Sequence, residues 1–498
     1  MSHDLEASYA SAEVAAHFLK HPNECFETAP DAKHLSVFAA REGKNAWPHA
    51  DGVIDISVTS GGSKKQFGIA VEFKRPNEGL HGVLTAIGQV HAYLRKGYAG
   101  AVIVVPESYA GLLDTGAYLK DVLDLTSKSE AIGVFGYKQP DMAKASPFAG
   151  CLTLHRKLFV DKNPPIAAPV PIARTETQWA HVREGSTDPD ALFKYLQTLK
   201  LLSGGSIVAP SPAIPTKLVA AAKQLNPNQE PERYLSYAPG DQLHDRAWRW
   251  FWFRYVLHPA AIEGWTHDKS FAVNAAPSRI TRSDQKGPKM FFAGRTDSIK
   301  NKLVDALNAN KMSETDALLD LAKNYHDRAH SYREDIDSGA EHLGFTDNQG
   351  RLTDAGYRFV DACERNGNPH VGVPRAIFMS AVLREGALGA FLHYVYRLSE
   401  ARFAGDPLEF TKKEGGELRF EQDKYLQWLE EQLADELHVM RKVSARGGVS
   451  RKPFQAEFAL LRNLGIVGGF RVGVGLVVNW PEFQNALEYA AAREPWLN

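Results

Sequence analysis

Residues 52–73 constrain this chain most. Two runs alternate apolar and polar side chains on either side of the glycine-containing stretch 60–66, the pattern of an antiparallel hairpin. Ile54, Ile56 and Val58 alternate with Asp55 and Ser57, so one face of the first strand is apolar and the other polar. Residues two apart on a strand share a face, so Glu72 and Lys74 project together while Val71 and Phe73 point into the core. The hairpin is expected to set Asp55 close to Glu72 and Lys74. Asp51, four residues upstream, is a rival for that place; Asp55 is favoured because it lies inside the alternating strand. Two carboxylates beside an ammonium suit a hard divalent cation, which binds through one or two protein carboxylates and keeps several waters. Such a cation lowers the pKa of a bound water and offsets charge building on a phosphate. Lys74 would orient that water or touch the phosphate.

The segment after the hairpin has helical spacing from residue 83 to 94. Leu84, Ile87, Val90, His91 and Leu94 lie on one side, and Gln89 and Tyr93 four apart on another. Residues 99–106 then form a nearly continuous apolar run closed by Gly and Pro, as expected of a strand buried on both faces, and a short strand is expected at 131–136. The order is helix, hairpin, helix, strand, strand.

In this order, with Asp55, Glu72 and Lys74 as its signature and Gln89 on the following helix, the stretch 5–140 resembles the PD-(D/E)XK nuclease superfamily. The resemblance implies a restriction-endonuclease-like α/β domain, a mixed sheet flanked by helices, with Asp55 and Glu72 as metal ligands and Lys74 and Gln89 as further catalytic residues. Ile54 stands where the signature has proline. An acid on the first helix is also implied, with Glu13 the best match and Glu6 a weaker one. The cofactor implied is Mg²⁺, with Mn²⁺ as the alternative, and the activity is hydrolysis of DNA phosphodiester bonds in restriction or anti-phage defence. A DNA-repair or RNA-directed nuclease of the same fold, and a catalytically silent DNA-binding regulator, are the alternatives.

The chain has 498 residues, enough for two to four domains, and 44% hydrophobic content is enough for proper cores. Its formal net charge of −1 announces no polyanion partner globally, so a basic surface must be local. Cysteines at 25, 151 and 363 show no paired spacing, which argues against a structural zinc site and for a reducing compartment. Neither a signal-like N-terminus nor an apolar run of membrane-spanning length is present, so a cytoplasmic protein without membrane contact is expected. Residues 161–175 are rich in Pro and Ala and read as a stiff linker closing a 1–160 nuclease domain. No GxxxxGK[ST] and no glycine-rich cofactor loop accompany it, so a methyltransferase or other defence partner would be separately encoded.

Residues 176–340 read as a mainly helical recognition domain. Residues 244–258 are aromatic on all sides, which suits a core helix better than a base-binding cage of Trp248, Trp250 and Trp252. The loop 278–289, with Arg282 and Lys289, is locally basic and could track phosphates. In 341–498, residues 342–357 and 454–478 resemble winged-helix segments, the latter with alternating Val472, Val474, Leu476 and Val478. Between 440 and 475 seven Lys and Arg (Arg441, Lys442, Arg446, Arg451, Lys452, Arg462, Arg471) face one acid, Glu457. Arg446, Arg451 and Lys452 are the favoured contacts to double-stranded DNA. A homodimer able to cut both strands follows from the resemblance alone.

Overall fold

The computed structural model describes residues 3–27, 35–42, 48–60, 63–109, 111–141, 143–158, 176–180, 188–205, 214, 216–257, 280–281, 288–289, 305–306, 309–347, 349–442 and 452–491. The expected linker 161–175 lies outside them. The chain divides into two compact units, Met1–His181 with Val382–Ala491, and Val182–Ala381.

The first unit is built on a six-stranded mixed sheet in sequence order: β1 (Leu35–Ala40), β2 (Gly52–Ser60), β3 (Ser63–Phe73), β4 (Gly100–Pro106), β5 (Ile132–Tyr137) and β6 (Leu152–Arg156). The first three strands and the last pair run antiparallel, whereas β3, β4 and β5 are parallel. Parallel neighbours need a crossover. Helices α2 (Gly79–Lys96) and α3 (Thr115–Thr126) supply the two crossovers. Strand β1 had no clear signal in the sequence, since its residues Leu-Ser-Val-Phe-Ala-Ala barely alternate.

Both faces of the sheet are covered. On one, Phe38, Val53, Ala70, Ala101, Ile103 and Val134 pack against Val83, Ala86, Val90 and Tyr93 of α2 and Leu119 and Leu123 of α3. On the other lies α1 (His3–Lys20), whose Phe18 meets Phe135 and whose Ser11 leaves no room for a side chain at Gly52. Strand β4 is therefore buried throughout, as its unbroken apolar run requires, and each of its Val and Ile side chains contributes about 1.5–3 kcal/mol. The buried stripe of α2 differs from the expected one: Leu84 is exposed, and Tyr93 turns into the core. Gly97, at φ 109°, ends that helix, its N–H donating to the Leu94 and Tyr93 carbonyls.

The C-terminal segment returns to this unit. Helix α10 (Leu388–Gly405) sets Tyr394 edge-on against Tyr9 at 5.0 Å and brings His393 Nδ1 to the Tyr9 hydroxyl. Residues 176–180 tie the two together, because the Gln178 amide donates to the Ser8 carbonyl (2.7 Å) and accepts from the Tyr394 hydroxyl (3.1 Å). Ala39 N–H donates to the His438 carbonyl at 2.7 Å, and Trp179 packs on Phe391. Apolar and hydrogen-bonding complements thus lie over 200 residues apart in sequence, a separation tolerated because loop closure grows only slowly in cost with length.

Beyond α10 come the hairpin β7 (Thr411–Glu414) and β8 (Glu417–Phe420), helices α11 (Gln422–Glu431) and α12 (Gln455–Asn463), the hairpin β9 (Val467–Arg471) and β10 (Gly475–Val478), and α13 (Trp480–Ala491). A helix–hairpin–helix order is present at 455–491. The strands, however, end at Arg471 and resume at Gly475, so Val472 and Val474 lie in the turn and not in an alternating strand.

The second unit is mainly helical: α4 (Pro189–Ser203), α5 (Thr216–Leu225), α6 (Leu243–Trp252), α7 (Glu314–His342), α8 (Asp354–Asn366) and α9 (Gly372–Ser380). In α6, Trp248 and Trp252 are fully buried and stack at 5.6 Å, with the Trp248 indole N–H donating to the Ser236 carbonyl; this is a core helix and not a base-binding cage. No single helix among the described residues is long and apolar enough to cross a membrane.

Candidate functional site

The register of the hairpin decides which carboxylates meet. Gly52 pairs with Val71 and Val53 with Ala70, so the next pair outward is Asp51 with Glu72. Asp55 pairs with Gly68 on one side and Phe38 on the other, four residues from Glu72 along the strand or roughly 13 Å at ~3.3 Å per residue. The expectation that Asp55 lies beside Glu72 and Lys74 is therefore corrected: the rival Asp51 occupies that place. The hairpin turns between Ser60 and Ser63, earlier than the centre of the polar stretch 60–66, and this moves the partner of Glu72 towards the start of the first strand. Asp55 is buried in the middle of the sheet face.

Asp51, Glu72 and Lys74 form one corner at the end of β3. The Asp51 carboxylate accepts from the Phe73 N–H (2.8 Å), and Lys74 Nζ lies 2.7 Å from Glu72 Oε1 and 3.3 Å from Glu78 Oε2. Tyr93 donates to Glu72 Oε2 at 2.5 Å or to the His49 carbonyl, both within its reach. His3 closes the corner, with Nε2 3.1 Å from the Phe73 carbonyl and Nδ1 3.9 Å from Asp51. Glu72 is 1% exposed and Asp51 23%, so the pair has one dry member and one that reaches solvent.

Burial and mutual repulsion set the protonation of the corner. Burial, then the charge of Glu72, pushes the Asp51 carboxyl up to about 7, although His3, the Phe73 N–H and Lys74 pull the other way. Burial also raises Glu72 above the carboxylate range, against Lys74 and Tyr93. Burial disfavours the Lys74 ammonium, yet Glu72, Glu78 and Asp51 together hold its pKa above the usual value. Two carboxylates that resist ionising side by side form a hard-oxygen donor set, and a divalent cation between them would relieve that resistance.

The other expected residues fall in different places. Gln89 lies one turn before Tyr93 on α2, with its Oε1 buried and lacking a hydrogen-bond partner among the described residues. Glu13 faces the 146–150 turn, within 3.3 Å of the Gly150 N–H and 3.4 Å of the Ser146 hydroxyl. It is ten residues from His3, roughly 15 Å along the helix, so the acid of α1 nearer the corner is Glu6, paired with Arg75 at 2.8 Å.

In the basic stretch, Arg446 and Arg451 lie outside the described residues, as does Arg282. Lys289 belongs to a two-residue strand paired with Ile280–Thr281, its side chain likewise outside them. Lys452, expected to contact phosphate, stands in an exposed ion pair, its Nζ lying 2.8 and 3.1 Å from the two Asp423 oxygens. Lys442 likewise pairs with Asp435, and Arg441 stacks over Phe38 at 4.9 Å. Two of the cations counted along the sequence, Lys442 and Lys452, are thus met by acids within 422–436.

A second cluster went unseen in the sequence because its members are 180 residues apart. Asp188, which caps α4, Asp190 and His370 bring their ligand atoms within 4.8 Å of one another, with His370 Nε2 2.8 Å from Asp190. The group can hold a metal ion. No protein-family model matches this chain, and no curated protein matches it.

Proposed function

We propose that this protein is a metal-dependent DNA endonuclease of the PD-(D/E)XK kind, with Asp51 in place of the expected Asp55. The observation that carries this reading is the corner itself: Asp51 opposite Glu72, with Lys74 on the same face of β3 and 2.7 Å from Glu72. Asp51 and Glu72 fit Mg²⁺ or Mn²⁺ as ligands, and a bound cation would supply an activated water and charge neutralisation at the phosphate.

The chain's own residues do the rest. The Phe73 N–H fixes the Asp51 carboxylate, leaving further lone pairs for a ligand. Tyr93 holds Glu72 from the core side, so its rotamer is set before any substrate arrives. Lys74, anchored between Glu72 and Glu78, presents an ammonium able to orient a water or stabilise charge on a phosphate oxygen. Glu78 and His3 border the corner on the solvent side. Restriction or defence against foreign DNA is the context that suits a nuclease sheet joined to a large helical unit.

Plasmid and phage DNA incubated with the protein, with and without Mg²⁺, test the reading. Cleavage that needs the metal and disappears in Glu72→Ala supports it. Intact DNA under all metal conditions overturns it.

A further inference from the structure

The second unit carries a group that the nuclease reading does not use. Asp188 and Asp190 stand at the start of α4, and His370 lies in the turn between α8 and α9, 180 positions from Asp190. Their ligand atoms lie within 4.8 Å of one another. Asp190 is buried and the other two are half-buried, so this is a walled group and not an exposed acidic face.

The helices hold it in place. Helices α4 and α8 lie side by side, with Lys200 Nζ 2.7 Å from Asp361 and 2.6 Å from Glu364. Helix α8 ends at Gly367, φ 67°, whose N–H donates to the Cys363 carbonyl, and the His370 N–H donates to Asn368 Oδ1 at 2.9 Å. Asp188 caps α4 by accepting from the Asp190 N–H at 3.1 Å. A carboxylate offers about four lone-pair sites, so a cap and a metal bond are compatible.

Charge and donor type point to a cation. A helix start carries roughly half a positive charge, which two carboxylates outweigh. Lys194, one turn on from Asp190, directs its ammonium to Gln197 Oε1 at 3.2 Å. A separate sign comes from Cys363, in the last turns of α8. Its thiol is wholly buried, outside any disulfide and without a hydrogen-bond partner among the described residues. It is near enough to Asp190 that the carboxylate's charge adds to burial in raising its pKa. An unpartnered sulfur beside two carboxylates and an imidazole is an environment for a borderline cation. Tetrahedral Zn²⁺, with bonds of about 2.0–2.1 Å, sets its ligand atoms roughly 3.3 Å apart, so the present group closes around an ion with shifts on the order of 1 Å.

We propose that Asp188, Asp190 and His370 form a Zn²⁺ site that ties the start of α4 to the turn between α8 and α9. Imidazole favours Zn²⁺ over Mg²⁺, whereas the all-oxygen corner of the first unit suits Mg²⁺ or Mn²⁺. Three protein ligands leave a fourth position for water. The proposal is independent of the nuclease reading.

Zn²⁺ titrated into the chelator-treated, full-length Glu72→Ala protein in excess Mg²⁺ reads this site with the corner disabled. One equivalent that depends on His370 should bind. At about 100 times Kd it should raise the melting temperature by several degrees. His370→Ala or Asp190→Asn, added to Glu72→Ala, should weaken Zn²⁺ binding by more than ~10-fold and abolish the shift. Circular dichroism establishes that the variants are folded, and His370→Asn replaces a His370→Ala protein that is not. Absence of Zn²⁺ binding by the Glu72→Ala protein overturns the proposal, as does undiminished binding in either folded variant. Cleavage by wild type is read separately. A chain that takes up Zn²⁺ here and never cuts DNA keeps this site and loses the nuclease, and one that cuts DNA without this Zn²⁺ loses only the site.

Discussion

The carboxylate corner and the basic stretch 440–475 are opposites. In the corner, folding gathers like charges that the sequence keeps apart: Asp51 and Glu72, 21 positions distant, become neighbours one step beyond the Gly52–Val71 pair. In the basic stretch, folding disperses a like-charge run that the sequence displays, because Lys442 and Lys452 find Asp435 and Asp423 and Arg441 lies on an aromatic ring. Charge density along a chain is thus a poor guide to the field of the folded molecule.

The largest effects should come from the corner. Glu72→Ala, Lys74→Ala and Asp51→Ala are each expected to lower DNA cleavage by ~10²–10³-fold or more, the scale of removing a preorganised charge at a reacting phosphate. Asp55→Asn should stay within a few-fold. Initial rates on supercoiled plasmid measure both, and a loss with Asp55→Asn matching that of Asp51→Ala would reverse the assignment.

Next in size is the scaffold under the corner. Lys96 donates to the Pro48 carbonyl at 2.9 Å and pairs with Glu42, which in turn accepts from Ala50, so this buried pair holds the loop that delivers Asp51. Glu42→Ala leaves a buried ammonium uncompensated and should cost about 3–5 kcal/mol in urea denaturation. A loss below 1 kcal/mol would show that the loop is held by other means.

The stored repulsion should itself be measurable. Asp51 titrates near 7 when folded and close to its usual 3.8 when unfolded, so its contribution to stability is complete below about pH 4 and is lost as pH rises through 7. Asp51→Asn removes the ionisation while keeping an oxygen for the Phe73 N–H. It should therefore stabilise the metal-free protein by on the order of 2 kcal/mol at pH 8, and by much less at pH 5. A gain independent of pH would place its cause elsewhere.

Much of this architecture was legible in the sequence. The unbroken run of β4 and the alternation of β2 named the sheet, and Glu72 and Lys74 share a face as their spacing requires. The partner aspartate was legible too: counting outward from Gly61-Gly62 as a two-residue turn pairs 52 with 71 and 51 with 72. Alternation alone pointed to Asp55, because it identifies a strand's face and not its register. The return of the C-terminal segment was hidden for a different reason. Tyr9 and Tyr394 dock segments more than 300 residues apart, and no local pattern records that.

The smallest expected effect belongs to the basic stretch. Lys452→Ala breaks an exposed ion pair and should change stability by about 0–1 kcal/mol, with a salt dependence of DNA binding like that of wild type. A slope flattened by about one phosphate contact would mean that the pair opens onto DNA.

Calorimetric titration of Mn²⁺ into the wild type, Asp51→Ala and Asp55→Ala tests the central claim without reference to any substrate. Wild type and Asp55→Ala should bind the ion with the same stoichiometry, and Asp51→Ala should bind one ion fewer, whatever the group of Asp188, Asp190 and His370 takes up. An unchanged stoichiometry in Asp51→Ala, or the loss of one ion in a folded Asp55→Ala alone, would contradict the account.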